Sequence, residues 1–367
     1  MEELAGSSPF EARQSRLQAQ LEARRLSVLL VTKPENLFYL TNFRGDAGVL
    51  AMGPRPAVLW VDPRYTLQAR GSAFGVEVRE EKRRLLDNVG RWLARRSKGG
   101  SPYRVGYDDG HLTCAAFQEL RQTGLNLRAA SGIIEEMRAV KDGGEIDRIR
   151  RAGHLTAAVF EDVRPLIRPG VRENEIAAEI EYRMRKGGAD GPAFETIVAS
   201  GPRAALPHAR ASSKPLENKE FVILDFGAIL AGYAADMTRT IYLGEPSRRI
   251  LNLYRAVRAA QEKVIEALRP RVAAGDVDAV ARRTLARARL GRYFTHSTGH
   301  GVGLEIHEAP RLGRGNQTLL ESGSVVTAEP GVYLEGIGGV RIEDTVLVRD
   351  GTAEILTPAS KDDWVIA

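Results

Sequence analysis

The stretch Phe221 to Leu243, FVILDFGAILAGYAADMTRTIYL, constrains the chain most, because it sets two aspartates inside runs that otherwise read as a sheet core. Asp225 interrupts an apolar strand, and Asp236 follows eleven positions later, just past Gly232 and Tyr233. A carboxylate in a dry strand loses hydration worth several kcal/mol unless something cationic compensates. If the two strands turn at Leu230 and Ala231, residues whose numbers sum to 461 face one another, which sets Asp225 opposite Asp236. Like charges so placed require either a retained proton or a cation between them. A half-exposed hairpin carrying two surface aspartates is the plain alternative.

Two further stretches bear on that choice. SVVTAEPGVYL sets Glu329 at the end of an apolar strand before a Pro-Gly break, and GGVRIEDTVLV sets Glu343 in another strand, on the same side as Arg341 by period-two alternation. Asp and Glu are depleted from strands and rarely buried without a partner, so four such carboxylates are improbable as independent accidents. Four of the six histidines, His208, His296, His300 and His307, fall within one hundred residues of the second half. HSTGHGVGLEIHEAP flanks His300 with glycines at 299, 301 and 303, which lets its imidazole approach a crowded centre and argues against a helix. A helical H-E-x-x-H zinc site is thereby removed, since His307-Glu308 runs into Ala309-Pro310. A phosphate-cradling reading of GHGVG lacks the helix start that should follow it. Four oxygen donors and one nitrogen donor form a hard set that exceeds the need of one cation. It suits a pair of Mn²⁺, Co²⁺ or Fe²⁺ ions, with Zn²⁺ also admissible, and such a pair generates a nucleophile near neutral pH.

Composition bounds the rest. A chain of 367 residues is long for one domain. The single cysteine, Cys114, leaves no internal disulfide and no thiolate cluster for zinc or iron–sulfur, which points to the cytoplasm. Met1, Glu2, Glu3 and Leu4 are not a basic region followed by an apolar block, and no apolar run approaches about 18 residues, so neither a signal peptide nor a membrane span is expected. The net charge of +6 is small against 53 basic and 47 acidic residues spread over runs such as EARR, EEKRR and RSKGG. These read as solvated helix faces and not as a nucleic-acid surface.

The first 130 residues alternate strand and helix, from PFEARQSRLQAQLEARR and LSVLLVT to YRVGYDD and TCAAFQELRQT, which predicts a small α/β domain without a dinucleotide fingerprint. A boundary is expected near Asp142, Gly143 and Gly144, giving domains of 1–138 and 139–367. The second half carries helices from Ile146, from about Glu173 to Lys186, from about Pro246, and near VDAVARRTLARARL, interleaved with strands, and reads as α+β.

Asp225 with Asp236, GHGVGLEIHE, TAEPGVY and RIEDT, together with NLFYLTNFRG in the first half, resemble in order the motifs of the pita-bread metallopeptidases, the family of methionine aminopeptidase, aminopeptidase P, prolidase and creatinase. The resemblance covers essentially the whole chain. It implies a C-terminal pita-bread catalytic domain behind a smaller creatinase-like α/β domain that mediates dimerisation and walls the pocket. It implies Asp225 on one metal, Asp236 and Glu343 bridging, and His300 with Glu329 on the second. By the same resemblance, Glu329 carries the proton, and His208 and His307 contact substrate or the developing oxyanion. Arg341 orients the Glu343 side, and Arg311 meets a product carboxylate. Thr238 is expected to support Asp236, Tyr233 to be pocket wall or plain packing, and His296 to lie behind the ligands or cap its loop. Each histidine or arginine taken alone would more often be structural.

Within the family, the two-domain length excludes the compact methionine aminopeptidases, and the intact ligand set disfavours creatinase and non-catalytic scaffolds. What remains is hydrolysis of the bond before proline by a hydroxide bridging the two ions, with Mn²⁺ the first choice. The short chain favours an Xaa-Pro dipeptidase acting on small proline-containing peptides over an aminopeptidase taking longer ones, and a homodimer is expected.

Overall fold

In the computed structural model, described over residues 8–53, 56–97 and 103–366, the chain divides into two compact units, Met1–Met137 and Arg138–Ala367. The opening residues Met1 to Leu4, and most of the RSKGG run, lie outside the described residues. No described helix is long and apolar enough to cross a membrane.

The first unit begins with a helix, Pro9–Ala23, whose start is fixed by a reciprocal capping box between Ser8 and Glu11 with Pro9 in the first turn. Its six-stranded sheet runs in the spatial order Val76–Glu80, Ala57–Val61, Gly48–Met52, Val28–Val31, Arg104–Tyr107, Asn126–Ala129. The last three pair in parallel and Gly48–Met52 is antiparallel to both neighbours, so the α/β expectation is met by a mixed sheet. Val28, Leu30, Trp60, Val89, Leu93 and Val105 form part of its core.

The second unit places four helices against strands that hold the acidic residues. Helix Gly143–Val163 starts on a second capping box, Asp142 with Glu145, and Glu173–Lys186 packs beside it. Helices Arg248–Ala267 and Ala274–Arg287 pack on each other. The strand Phe221–Phe226 is the hinge of this arrangement. Val222, Leu224 and Phe226 enter the core beneath the first helix pair, while Phe221 and Ile223 enter the core beneath the second. A strand covered on both faces reads as a continuous apolar run, and Asp225 lies on the Phe221/Ile223 face by alternation.

The hairpin register differs from the expected one. Phe221–Phe226 pairs antiparallel with Met237–Leu243 so that Asp225 faces Thr238, not Asp236. The turn sits at Ala231 and Gly232, both at positive φ (51° and 83°), as a two-residue loop between Leu230 and Tyr233 requires. Moving the turn by one residue shifts every pair by two. Period-two alternation survives such a shift, so Asp236 still shares a face with Asp225.

Candidate metal centre

The four carboxylates stand where regular pairing stops. Asp225 is one residue from the end of its strand, and Asp236 immediately precedes Met237–Leu243. Glu329 follows Val325–Ala328, and Glu343 sits between Gly338–Arg341 and Asp344–Leu347 instead of within a strand. Breaks of this kind re-aim side chains that a continuous ladder would hold perpendicular to the sheet. His300 lies in Gly299–Gly301, which is squeezed between two other strands. A Cβ on Gly299 would meet the Thr327 carbonyl oxygen at 2.0 Å, and one on Gly301 that of Ala309 at 2.2 Å.

These five side chains border one cavity of about 730 Å³, together with His208, His296, His307, Arg311 and Arg341. His300 Nε2 is 3.5 Å from Asp236 Oδ2 and 3.4 Å from Glu329 Oε1. Asp236, His300 and Glu343 each offer a donor atom within 4.8 Å of the others'. Arg341 is a buried cation beside the carboxylates: its Nη2 reaches Asp225 Oδ2 at 2.6 Å, while Nη1 donates to the Tyr333 hydroxyl at 2.7 Å and Nε to Thr238 Oγ1 at 3.0 Å.

The electrostatics leave positive charge wanting. Burial pushes the Asp236 and Glu343 carboxyls well above their ordinary range, and their carboxylate neighbours push them further. Burial likewise lifts Glu329 to about 7, with Arg341 opposing and Asp225 adding to the rise. Asp225 Oδ1, Asp236 Oδ1 and Glu343 Oε1 are buried and accept no hydrogen bond. His300 sharpens the point. Its Nδ1 lies 3.0 Å from the Gly301 carbonyl, which can only accept, so Nδ1 carries the proton. Burial lowers the His300 pKa, so the ring is neutral and Nε2 directs a bare lone pair at Asp236 and Glu329. Asp236, Glu343 and Asp225, each with an orphaned carboxylate oxygen, line one cavity with the His300 lone pair. Donors of Asp236, His300 and Glu343 lie within 4.8 Å of one another, which is the donor arrangement that divalent cations satisfy.

Several expected contacts are differently distributed. Arg341 grips Asp225, not the Glu343 side chain. Thr238 donates to Glu343 Oε2 at 2.6 Å instead of supporting Asp236. Both follow from the register, which puts Thr238 across from Asp225 and brings Glu343 over it through the Glu343 N–H to Thr238 carbonyl bond. Tyr233 is fully buried outside the cavity lining, with its hydroxyl donating to Glu145 Oε1 at 3.0 Å, so it is packing and not pocket wall. His296 lines the cavity. Its Nδ1 donates to the Ser297 carbonyl at 2.8 Å, and Nε2 accepts from Tyr333 at 2.9 Å. His208 and His307 reach the cavity from loops, and the His307 ring stands 4.3 Å from that of His300. Arg311 is exposed at the rim, with no carboxylate in ion-pair range among the described residues.

Tyr333 is the residue that sequence reasoning passed over, although TAEPGVYL contains it. A second omission lies behind His307. Glu308 folds back into a buried cluster in which Arg138 donates to it and, at 2.8 Å, to Glu305 Oε2, while Lys141 Nζ approaches Glu308 Oε2 at 3.2 Å. Burial pushes the Glu308 carboxyl up, but Lys141 and Arg138 outweigh burial and hold it below its ordinary range. Removing one member of a buried cluster strands the others. We expect Arg138→Met to lower unfolding free energy by about 3 kcal/mol, read from urea midpoints at fixed m. A loss below about 1 kcal/mol contradicts the cluster's anchoring role.

Residues 147–350 match the model of metallopeptidase family M24, and residues 13–140 match that of the creatinase/prolidase N-terminal domain. The chain belongs to metallopeptidase family M24 and is a metal-dependent peptidase. It is 34% identical over 346 residues to an Xaa-Pro dipeptidase of Pyrococcus horikoshii, covering 93% of this chain and 95% of that protein. The structure of an Xaa-Pro dipeptidase from Bacillus anthracis superposes with a TM-score of 0.93 at 37% identity, over 97% of this chain and all of the other. An X-Pro aminopeptidase from Thermotoga maritima gives 0.87 at 34% identity, over 96% and 99% of the two chains. The expected family, pita-bread fold and hydrolase class are thus borne out.

Proposed function

We propose that this protein hydrolyses the bond before proline in small peptides, acting as an Xaa-Pro dipeptidase. Asp225, Asp236, His300, Glu329 and Glu343 would hold two divalent ions, with Mn²⁺ preferred over Co²⁺, Fe²⁺ or Zn²⁺ for so carboxylate-rich a set. The observation that carries this reading is the neutral His300 Nε2 beside Asp236 and Glu343, with donors within 4.8 Å of one another and unpartnered carboxylate oxygens on Asp225, Asp236 and Glu343 in the same cavity lining. When bound, the ions supply Lewis acidity, which makes water nucleophilic near neutral pH and polarises the scissile carbonyl.

The chain's own groups do the rest. Glu329 is the proton carrier on this reading, a carboxyl that lines the cavity beside His300. Its Oε1 accepts from Thr327 at 3.2 Å, and the carboxylate would take the proton from the attacking water and give it to the proline nitrogen as the C–N bond breaks. His307 and His208 face the cavity where the carbonyl oxygen gains charge, and donation there strengthens as the transition state forms. Arg341 holds Asp225 in place through a buried, charge-assisted bond. The unpaired guanidinium of Arg311 suits the carboxylate of a product proline. His307→Ala is expected to lower kcat by about 100-fold with KM within about threefold of wild type. The reverse split, with KM rising and kcat kept, reassigns His307 to ground-state binding.

The likeness to the Thermotoga X-Pro aminopeptidase favours one alternative, activity on longer peptides. Rates on Ala-Pro, Ala-Pro-Ala and a longer Xaa-Pro peptide, each with Mn²⁺, Co²⁺ and Zn²⁺, test the proposal. Ala-Pro with Mn²⁺ should be turned over fastest; a preference for the longer peptides overturns the dipeptidase reading, and no hydrolysis of any overturns both. A cytoplasmic homodimer completes the proposal. The lone exposed Cys114 suits a reducing compartment, and light scattering should return twice the chain mass.

A further inference from the structure

We infer that Glu173 is a positioning residue that holds the His208 loop in its working conformation by clamping both ends of that loop. The inference rests on the reading that His208 acts in hydrolysis.

Glu173 opens the helix Glu173–Lys186 and is fully buried. An isolated carboxylate there would be strongly destabilising, yet five donors converge on it through six bonds. The Ser200 N–H and hydroxyl reach Oε1 at 2.8 and 2.9 Å. The Ser212 N–H and hydroxyl reach Oε2 at 3.0 and 2.6 Å. Arg203 Nε lies between, at 3.3 and 3.0 Å from the two oxygens. Ser200 is the last residue of the strand Ile197–Ser200, which pairs with the Asp225 strand, and Ser212 is where the chain leaves the cavity wall. One side chain therefore ties together the start and the end of a segment whose middle carries Pro207, His208, Ala209 and Arg210 into the cavity lining.

Inside the segment the ties are few. Arg203 donates through Nη2 to the Arg210 carbonyl, Arg341 Nη1 donates to the Pro207 carbonyl at 3.2 Å, and the Leu206 and Ala209 N–H groups close two tight turns. Leu206, His208 and Arg210 are exposed, so the tip has little packing of its own to fix it. Apart from an exposed Arg210 to Glu195 ion pair, loop position is thus set mainly at the ends, where the Glu173 side chain adds to the strand pairing of Ser200 and to the Asn174 N–H bond on the Ser212 carbonyl. Gln cannot replace it: the amide nitrogen would face a backbone N–H at either end, donor against donor, and the charge opposite Arg203 would vanish.

The test compares Glu173→Gln, His208→Ala and the double variant of the full metal-loaded chain on Ala-Pro, with backbone amide exchange as a readout independent of activity. Glu173→Gln should lower kcat about as far as His208→Ala, by roughly 10- to 100-fold with KM within about threefold. Adding it to His208→Ala should cost less than about twofold more, because both changes disable the same group. Exchange should quicken in 201–212 while the amides of Glu173–Lys186 keep their protection. Glu173→Asp, which keeps the charge, should recover part of kcat. If Glu173→Gln does not fold, Arg203→Ala, which removes the middle pair of bonds together with the Nη2 tie to the Arg210 carbonyl, should show the same pattern more weakly. Losses that multiply in the double variant, or exchange that quickens throughout the unit, make Glu173 a general structural residue and overturn the inference. If His208→Ala is fully active, the catalytic reading of His208 fails, and unchanged exchange in 201–212 would separately show that no clamp exists.

Discussion

Asp236→Asn is expected to abolish hydrolysis, with kcat falling by at least about 1,000-fold and metal content dropping below that of the wild type. Asp236 lies within reach of His300 and Glu343, and its Oδ1 accepts no hydrogen bond from the protein, so an amide at this position forfeits a ligand and gains no partner. Glu343→Gln should behave alike, since Glu343 Oε1 is orphaned in the same way. Misfolding is separable from this outcome. Without metal, both substitutions remove a buried like charge, so the chelated variants should be at least as stable as chelated wild type. A variant that keeps full metal occupancy and turnover contradicts the assignment of these two carboxylates, whereas one unstable with and without metal would report packing instead.

The second large effect concerns stability. In the metal-free protein Asp236, Glu343 and Glu329 have carboxyls raised by burial and by neighbouring carboxylates, Asp225 among them, Glu329 to about 7 from an ordinary 4.5. Between those two values these carboxyls bind more protons in the native chain than in the unfolded one, so their contribution to stability falls as pH rises through that window. For Glu329 alone the change is on the order of 3 kcal/mol. Below an ordinary 6.5, His296, lowered by burial to about 4, and His300 and His307, also lowered by burial, oppose this, because there the unfolded chain binds the extra protons. Urea midpoints of chelated protein should therefore drop between about pH 6.5 and about pH 8, and Mn²⁺ should restore them most at the higher pH. Glu173, Glu308 and Asp344 do not mask this. Their carboxyls lie below the ordinary range, so their contributions are present above it and disappear only as pH falls beneath it. A chelated protein whose stability is flat or rising between about pH 6.5 and about pH 8 contradicts the proposed crowding of charge.

Much of this was legible in the sequence because it rests on local rules. The capping pairs Ser8 with Glu11 and Asp142 with Glu145 mark helix starts, and the helix beginning at Glu173 ends at Lys186 as the apolar stripe requires. The four carboxylates and His300 declared themselves by being charged or polar in runs that predict burial. The hairpin register did not. It depends on where two consecutive residues accept positive φ, and Gly232 as second turn residue was the available signal. The reassignments of Arg341 and Thr238 follow from that single slip, since cross-strand partners are set by register. Tyr233 and Tyr333 could not be told apart by pattern, because both are buried and only tertiary contacts show which hydroxyl meets the cavity. The Glu173 and Glu308 clusters join residues far apart in the chain, and nothing in a local window announces them.

Anomalous diffraction from crystals grown with Mn²⁺ tests the central claim most directly. Two peaks per chain are expected, both among Asp225, Asp236, His300, Glu329 and Glu343, with Asp236 and Glu343 touching both. An empty wall at these side chains, or manganese bound elsewhere in an active protein, would contradict it.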